Sequence, residues 1–159
     1  MRIGFIICLF TICLQGFSQV ERDTVLSRCP VFITDTVTSN NFFIEARPCT
    51  LKVFRVKGDL TVVVEQKDQY LTFLFGDRKL KAGKYKINTR PSGRSELAVK
   101  YSFRSGDQVS YVDVSNGTIE VTFDKEKQTW RLKVSGMIAN LVERTITYYR
   151  VRADFSIKG

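Results

Sequence analysis

Tyr149-Arg150-Val151-Arg152-Ala153-Asp154-Phe155-Ser156-Ile157 alternates apolar and polar side chains without a break. Successive side chains of an extended chain point to opposite faces, so this stretch has one apolar face and one wet face. That is the pattern of an antiparallel strand covered on one side. The same period recurs upstream in Leu97, Val99, Tyr101 and Phe103, in Ile119, Val121 and Phe123, and in Trp130, Leu132 and Val134. Candidate strands in the first half cover 31–34, 42–46, 51–56, 60–65, 70–75 and 85–88. Val62-Val63-Val64 and Leu71–Phe75 are apolar on both faces, which predicts central strands covered on both sides. Turn signals separate the runs at Lys57-Gly58-Asp59, Gly76-Asp77, Ala82-Gly83, Pro91-Ser92-Gly93, Ser105-Gly106-Asp107, Asn116-Gly117 and Gly136. Together these predict an all-β fold, an antiparallel β-sandwich of about nine to eleven strands, with a closed β-barrel as the alternative. Phase slips at Val53–Phe54, Tyr111–Val112 and Tyr148–Tyr149 predict bulges or bends. Met137–Glu143 is the one place where a helical turn is expected.

The chain opens MRIGFIICLFTICLQGFSQ. Arg2 supplies a positive start, Phe5–Leu14 a short apolar run, and Gly16-Phe17-Ser18 small residues one and three places before Gln19. This is the layout of a signal peptide over residues 1–18, too short in its apolar run to span a bilayer comfortably. It predicts a secreted or periplasmic protein with no transmembrane segment in its mature form. Residues 19–28 read as a polar, flexible lead-in, and 29–159 as a single domain. Removing the leader leaves 141 of the 159 residues, enough for a real core.

The same leader sorts the four cysteines. Cys8 and Cys13 leave with it, and neither follows the small residue that lipidation needs. Cys29 and Cys49 remain, flanked as Cys29-Pro30 and Pro48-Cys49. An even pair in an oxidising compartment reads as a disulfide, and closing a loop of about twenty residues contributes about 3 kcal/mol in the chain-entropy model.

Much chemistry is excluded by composition. The chain contains no histidine, which removes the usual Ser-His-Asp and Cys-His systems and histidine-ligated metal sites. It has no Gly-rich phosphate loop and no dinucleotide fingerprint. A carboxylate pair is the remaining route to an enzyme. Glu120 and Asp124 share a strand face, but four residues put about 13 Å between their Cα atoms, long for a retaining glycosidase pair. The expectation is a non-catalytic protein without cofactor or metal.

The net charge is +9, or +8 once Arg2 is removed with the leader. Such a balance favours anionic partners: an anionic polysaccharide, a lipid head group or an acidic protein, with nucleic acid disfavoured by export. The most biased stretch is residues 78–94, RKLKAGKYKINTRPSGR, which holds Arg78, Lys79, Lys81, Lys84, Lys86, Arg90 and Arg94 and no acid. It is the candidate anion-binding strip, with Arg90 or Arg94 able to grip an oxyanion bidentately. The competing use of such lysines is to keep a sheet edge from aggregating. Trp130, in phase with Leu132 and Val134, is expected in the core.

Residues 71–159 resemble small exported β-sandwich domains common in Bacteroidota, many of them lipoproteins of unknown function. The resemblance rests on Ala82-Gly83-Lys84-Tyr85, on Asn116-Gly117-Thr118-Ile119-Glu120-Val121, on Lys133-Val134-Ser135-Gly136, and on the closing Ala153-Asp154-Phe155. It implies a fold and an exported location, and brings no catalytic residues with it. The expected function is a binding or structural role at the cell envelope or outside the cell. The alternatives are a carboxylate-dependent glycan-active enzyme and a small β-barrel carrier of an apolar ligand.

Overall fold

The computed structural model describes residues 20–142 and 145–159; the leader expected over 1–18 lies outside them. The described chain is all strand: β1 (Val20–Leu26), β2 (Val31–Asp35), β3 (Cys49–Val56), β4 (Asp59–Gln66), β5 (Gln69–Phe75), β6 (Gly83–Ile87), β7 (Glu96–Ser105), β8 (Gln108–Asp124), β9 (Thr129–Val142) and β10 (Thr145–Lys158). All ten belong to one sheet in the order β1-β3-β4-β5-β7-β6-β8-β9-β10-β2. The all-β expectation therefore holds, with a strand count inside the expected range.

Most of the sheet is an antiparallel meander, as short turns between sequential strands favour. β8 changes partner along its length. Its first part, Gln108–Asp113, pairs with β7, and Gly117–Val121 then pairs with the inserted β6. β1 lies on β3 and β2 on β10, so consecutive strands occupy opposite edges of the sheet. Only Ser27–Pro30 join them, and five residue steps span at most about 18 Å. The sheet must therefore curl until its edges approach. The curl brings β5 against β10, where the Phe73 and Phe155 ring centroids are 5.6 Å apart. Sandwich and half-barrel both describe this shape.

The inward faces form one continuous core, including Val62, Leu71, Phe73, Leu97, Ile119, Leu132 and Val151, each 0% exposed. These are the alternate residues of the sequence pattern, which is how the curl is specified: β2 to β10 contribute their apolar faces to the same interior. The sheet has an upper end, at the Lys67-Asp68 and Gly106-Asp107 turns, and a lower end, at Lys57-Gly58 and 125–128.

Several local expectations need correction. The lead-in 19–28 contains β1, bonded to β3 from Val20 to Leu26. Residues 22–25 are exposed on both faces, so this edge strand is held by backbone hydrogen bonds and carries no apolar alternation. Residues 42–46 are not a strand; they belong to the 36–48 loop. Met137–Val142 continues β9, because Gly136 faces inward between Val134 and Ile138 and interrupts the apolar pattern without interrupting the strand. Asn116-Gly117 is not a hairpin turn. It lies within β8, beside a bulge between Val114 and Asn116, and Ser115 donates its hydroxyl to the Met137 carbonyl at 3.1 Å. The expected slips at Tyr111 and Tyr148 are regular register with an outward aromatic, 67% and 48% exposed. At Val53–Phe54 the irregularity sits in the partner, β1, between Val20 and Arg22.

Candidate functional site

The 36–48 loop crosses the upper end of the curled sheet and is held there by one buried side chain. Gln66, 4% exposed at the end of β4, accepts the Ile44 amide N–H at 2.8 Å. Its own amide donates to the Ile44 carbonyl at 2.9 Å and to the Arg47 carbonyl at 3.3 Å. Nearer β2, Asn41 accepts the Ile33 amide at 3.0 Å, and the Phe42 amide donates to the Ile33 carbonyl at 3.0 Å. The clamp fixes adjacent phenylalanines in opposite roles. Phe43 is wholly buried, edge-on to Tyr101 with centroids 6.0 Å apart. Phe42 faces a cleft.

That cleft, about 520 Å³, opens between the loop, the β4–β5 turn and the upper ends of β7–β10. Its wall is aromatic. Phe42 meets Tyr149 edge-on at 5.2 Å and Tyr101 at 6.3 Å, and Tyr101 meets Phe103 at 5.9 Å. Ile33, Val112 and Ile138 supply the apolar floor, and Lys67, Asp68 and Arg104 stand at the rim. The Tyr101 hydroxyl donates to Gln69 Oε1 at 3.1 Å, and burial pushes its phenol up to about 12. Phe42 and Phe103 remain 38% and 36% exposed, so apolar surface is left facing the cleft. A concave aromatic wall with a few polar groups at its mouth is suited to holding a small, mostly apolar molecule. Sequence reading missed this site because its aromatics share the inward phase of core residues. The one available signal was the Phe42-Phe43 pair, which cannot both be buried on one face of an extended chain.

The basic stretch 78–94 does not form one strip. Lys81 bonds Asp77 at 2.9 Å. Lys84 stands opposite Glu120 on β8, which is itself opposite Lys133, which is opposite Asp154, giving a row of alternating charge across the outer face. Lys86 is opposite Glu96. Arg90 and Arg94 lie exposed in the β6–β7 loop, and Arg78 and Lys79 turn to the lower end of the sheet. Of the acids, Glu120 thus stands between two cross-strand cations, Glu96 accepts the Ser92 amide at 2.9 Å, and Asp124 accepts the Glu126 amide at 3.0 Å. Trp130 is only partly buried, packed against Phe123 at 4.7 Å between centroids at the lower margin of the core.

Four carboxyls are held below their usual range: Asp35 by the Thr38 and Val37 amides, Asp77 by Lys81, Glu96 by the Ser92 amide, and Asp154 by Arg131. Each folded-state value is lower than the unfolded one, so each contributes stability above the unfolded carboxylate range, about 4, that is lost as pH falls through the folded values. Melting temperature should therefore hold steady from neutrality down to about pH 5 and fall progressively below pH 4. A melting series across that range checks it, and Asp154→Asn should make the acid limb shallower.

The pair Cys29 and Cys49 is brought together. Both are buried thiols, and a hydrogen bond between them lowers Cys29 and, with burial, raises Cys49. They sit at the curl's seam, between the β1–β2 link and the start of β3.

No family model matches the chain, and neither a curated protein nor a solved structure matches it.

Proposed function

We propose that this is an exported, non-catalytic binding protein that holds a small, mostly apolar molecule in the aromatic cleft at the upper end of its curled sheet. The observation that carries the reading is the clamped loop: Gln66 spends three hydrogen bonds fixing a segment whose Phe42 is left 38% exposed against Tyr101 and Tyr149. Exposed aromatic surface gathered in a concavity is unfavourable in water unless something covers it. The mouth of a curled sheet is a common place for such ligands. The absence of histidine and the engagement of the carboxylates described above support a role in binding, not chemistry.

The test is titration with the neutral fluorophore N-phenyl-1-naphthylamine. Saturable emission enhancement is expected for the natural protein. Phe103→Asp, at a wall position that is 36% exposed, should weaken it about tenfold or more by placing a carboxylate against the probe, with a melting curve checking that the variant folds. Failure to saturate, or equal binding by Phe103→Asp, overturns the reading.

The exported location carries a second expectation. In an oxidising compartment the adjoining Cys29 and Cys49 thiols become a disulfide. Intact mass of the secreted protein should then be two hydrogens lighter before reduction than after. Cys29→Ala/Cys49→Ala should lower stability by about 3 kcal/mol relative to the oxidised form. A mass unchanged by reduction counts against both the bond and the compartment.

A further inference from the structure

The lower end of the sheet carries a second concavity, about 330 Å³, of opposite character. Leu60, Leu80 and Ile157 form its apolar floor, and Trp130 stands at its side. Five cations line it from four separate stretches of chain: Arg22 of β1, Arg55 of β3, Arg78 and Lys79 of the β5–β6 loop, and Lys158 of β10. No carboxylate side chain is present among the described lining residues. Among the described residues, Arg22, Arg78, Lys79 and Lys158 make no ion pair, whereas Lys52, Lys81, Lys100, Lys127 and Arg131 elsewhere do.

The arrangement is partly built. Arg55 Nε donates to the Arg78 carbonyl at 3.3 Å, tying β3 to the loop that carries Arg78 and Lys79. The Leu60 amide donates to the Asp77 carbonyl at 3.1 Å, tying the same loop to β4. The Arg78 guanidinium lies over Gly58, where φ is +92° and a Cβ would come 3.3 Å from Arg78 Nε. Glycine at this turn lets the guanidinium lie flat. The like charges of Arg22, Arg78, Lys79 and Lys158, drawn together around a small apolar hollow, repel one another and favour an anion between them.

We infer that the lower cleft binds a phosphate group attached to an apolar body, the phosphate taken by Arg78 and Lys79 with Arg22 and Lys158, and the body laid against Trp130. Arg supplies forked donors matched to phosphate oxygens, Lys a point charge, and the indole a flat apolar wall. A soluble phosphate ester and a lipid phosphate share this chemistry. The site is independent of the aromatic cleft, which lies at the other end of the sheet.

Trp130 is the chain's one tryptophan, so its emission reports on this end alone. Titration of the full mature chain with sodium pyrophosphate, monitored by tryptophan emission, should give a saturable change that weakens with added salt. The double variant Arg78→Gln/Lys79→Gln should bind about tenfold or more weakly, as expected for loss of charge-assisted contacts. Lys84→Gln/Lys86→Gln, on the outer face, should bind like the natural protein. All four positions are exposed, and a melting curve for each variant checks the fold. A parallel sedimentation with vesicles of phosphatidylcholine, with and without phosphatidic acid, separates the sources. Binding to phosphatidic acid vesicles assigns a lipid phosphate; response to pyrophosphate without vesicle binding assigns a soluble one. Absence of both responses overturns the inference, as does an equal loss in the two double variants, which would reduce the effect to net charge.

Discussion

Phe43→Ala should destabilise the protein by about 3–5 kcal/mol, the range for removing a large, fully buried aromatic ring. Phe43 is 0% exposed although it comes from a loop, and it closes the upper end of the core beside Tyr101. The loop cannot collapse into the space left behind, because Gln66 holds Ile44 and Arg47 on one side and the Phe42 amide is bonded to Ile33 on the other. A cavity that cannot relax sits at the costly end of the range. For a domain of this size the melting temperature should fall by on the order of 10–20 °C. Thermal melting followed by circular dichroism measures it. Phe42→Ala provides the comparison: that ring is 38% exposed, so its loss should cost roughly 1–2 kcal/mol in stability while weakening probe binding in the upper cleft. A Phe42→Ala variant as unstable as Phe43→Ala would mean that both rings are core and that the cleft is not preformed.

The second large effect is expected at Gly117. It stands inward on β8 opposite Gly136 of β9, with the Ile87 side chain packed over the pair. A Cβ at Gly117 would lie 2.3 Å from the Ser135 carbonyl oxygen and 2.5 Å from Gly136 Cα, and its φ is +142°. The obstructing atoms are backbone, so no rotamer change relieves the clash, and the dihedral is one that side chains rarely adopt. Gly117→Ala should cost on the order of 3 kcal/mol or more, combining backbone strain with overpacking. Denaturant unfolding should show an early midpoint, or the variant should fail to fold. Gly93→Ala, with open space around the added methyl and no unusual φ, should be close to neutral. Gly117→Ala melting like the natural protein would show that β8 and β9 separate more easily here than their pairing implies.

The glycine pair also shows where reading the chain alone falls short. Asn116-Gly117 between apolar runs is a strong local signal for a hairpin turn, yet the chain continues straight through it as part of a seventeen-residue strand. Close approach of two backbones and a bulge call for the same residue types as a tight turn. Local sequence cannot separate these uses, because the difference lies in a partner strand. The same holds for β1. Its register is set by backbone pairing with β3, and the side chains of residues 22–25 face water on both sides. The basic stretch failed as a strip for a related reason: seven cations adjacent in sequence are placed on an outer sheet face, in an exposed loop and at the lower cleft. Two of them join Arg22, Arg55 and Lys158, far away in the chain.

By itself, the sequence determined that the protein is all-β and which side chains face inward, because period-two alternation is a local consequence of the extended backbone and needs no knowledge of neighbours. It also determined what is missing: without histidine, whole classes of catalysis and metal binding are closed. Tertiary structure decided the rest. Four residues joining two opposite edge strands force the sheet to curl. The curl puts an aromatic concavity at one end and a cationic one at the other, and sets Cys29 against Cys49 at the seam. Those juxtapositions depend on strand order and register, which arise from pairing between residues distant in the chain, and no local pattern records them.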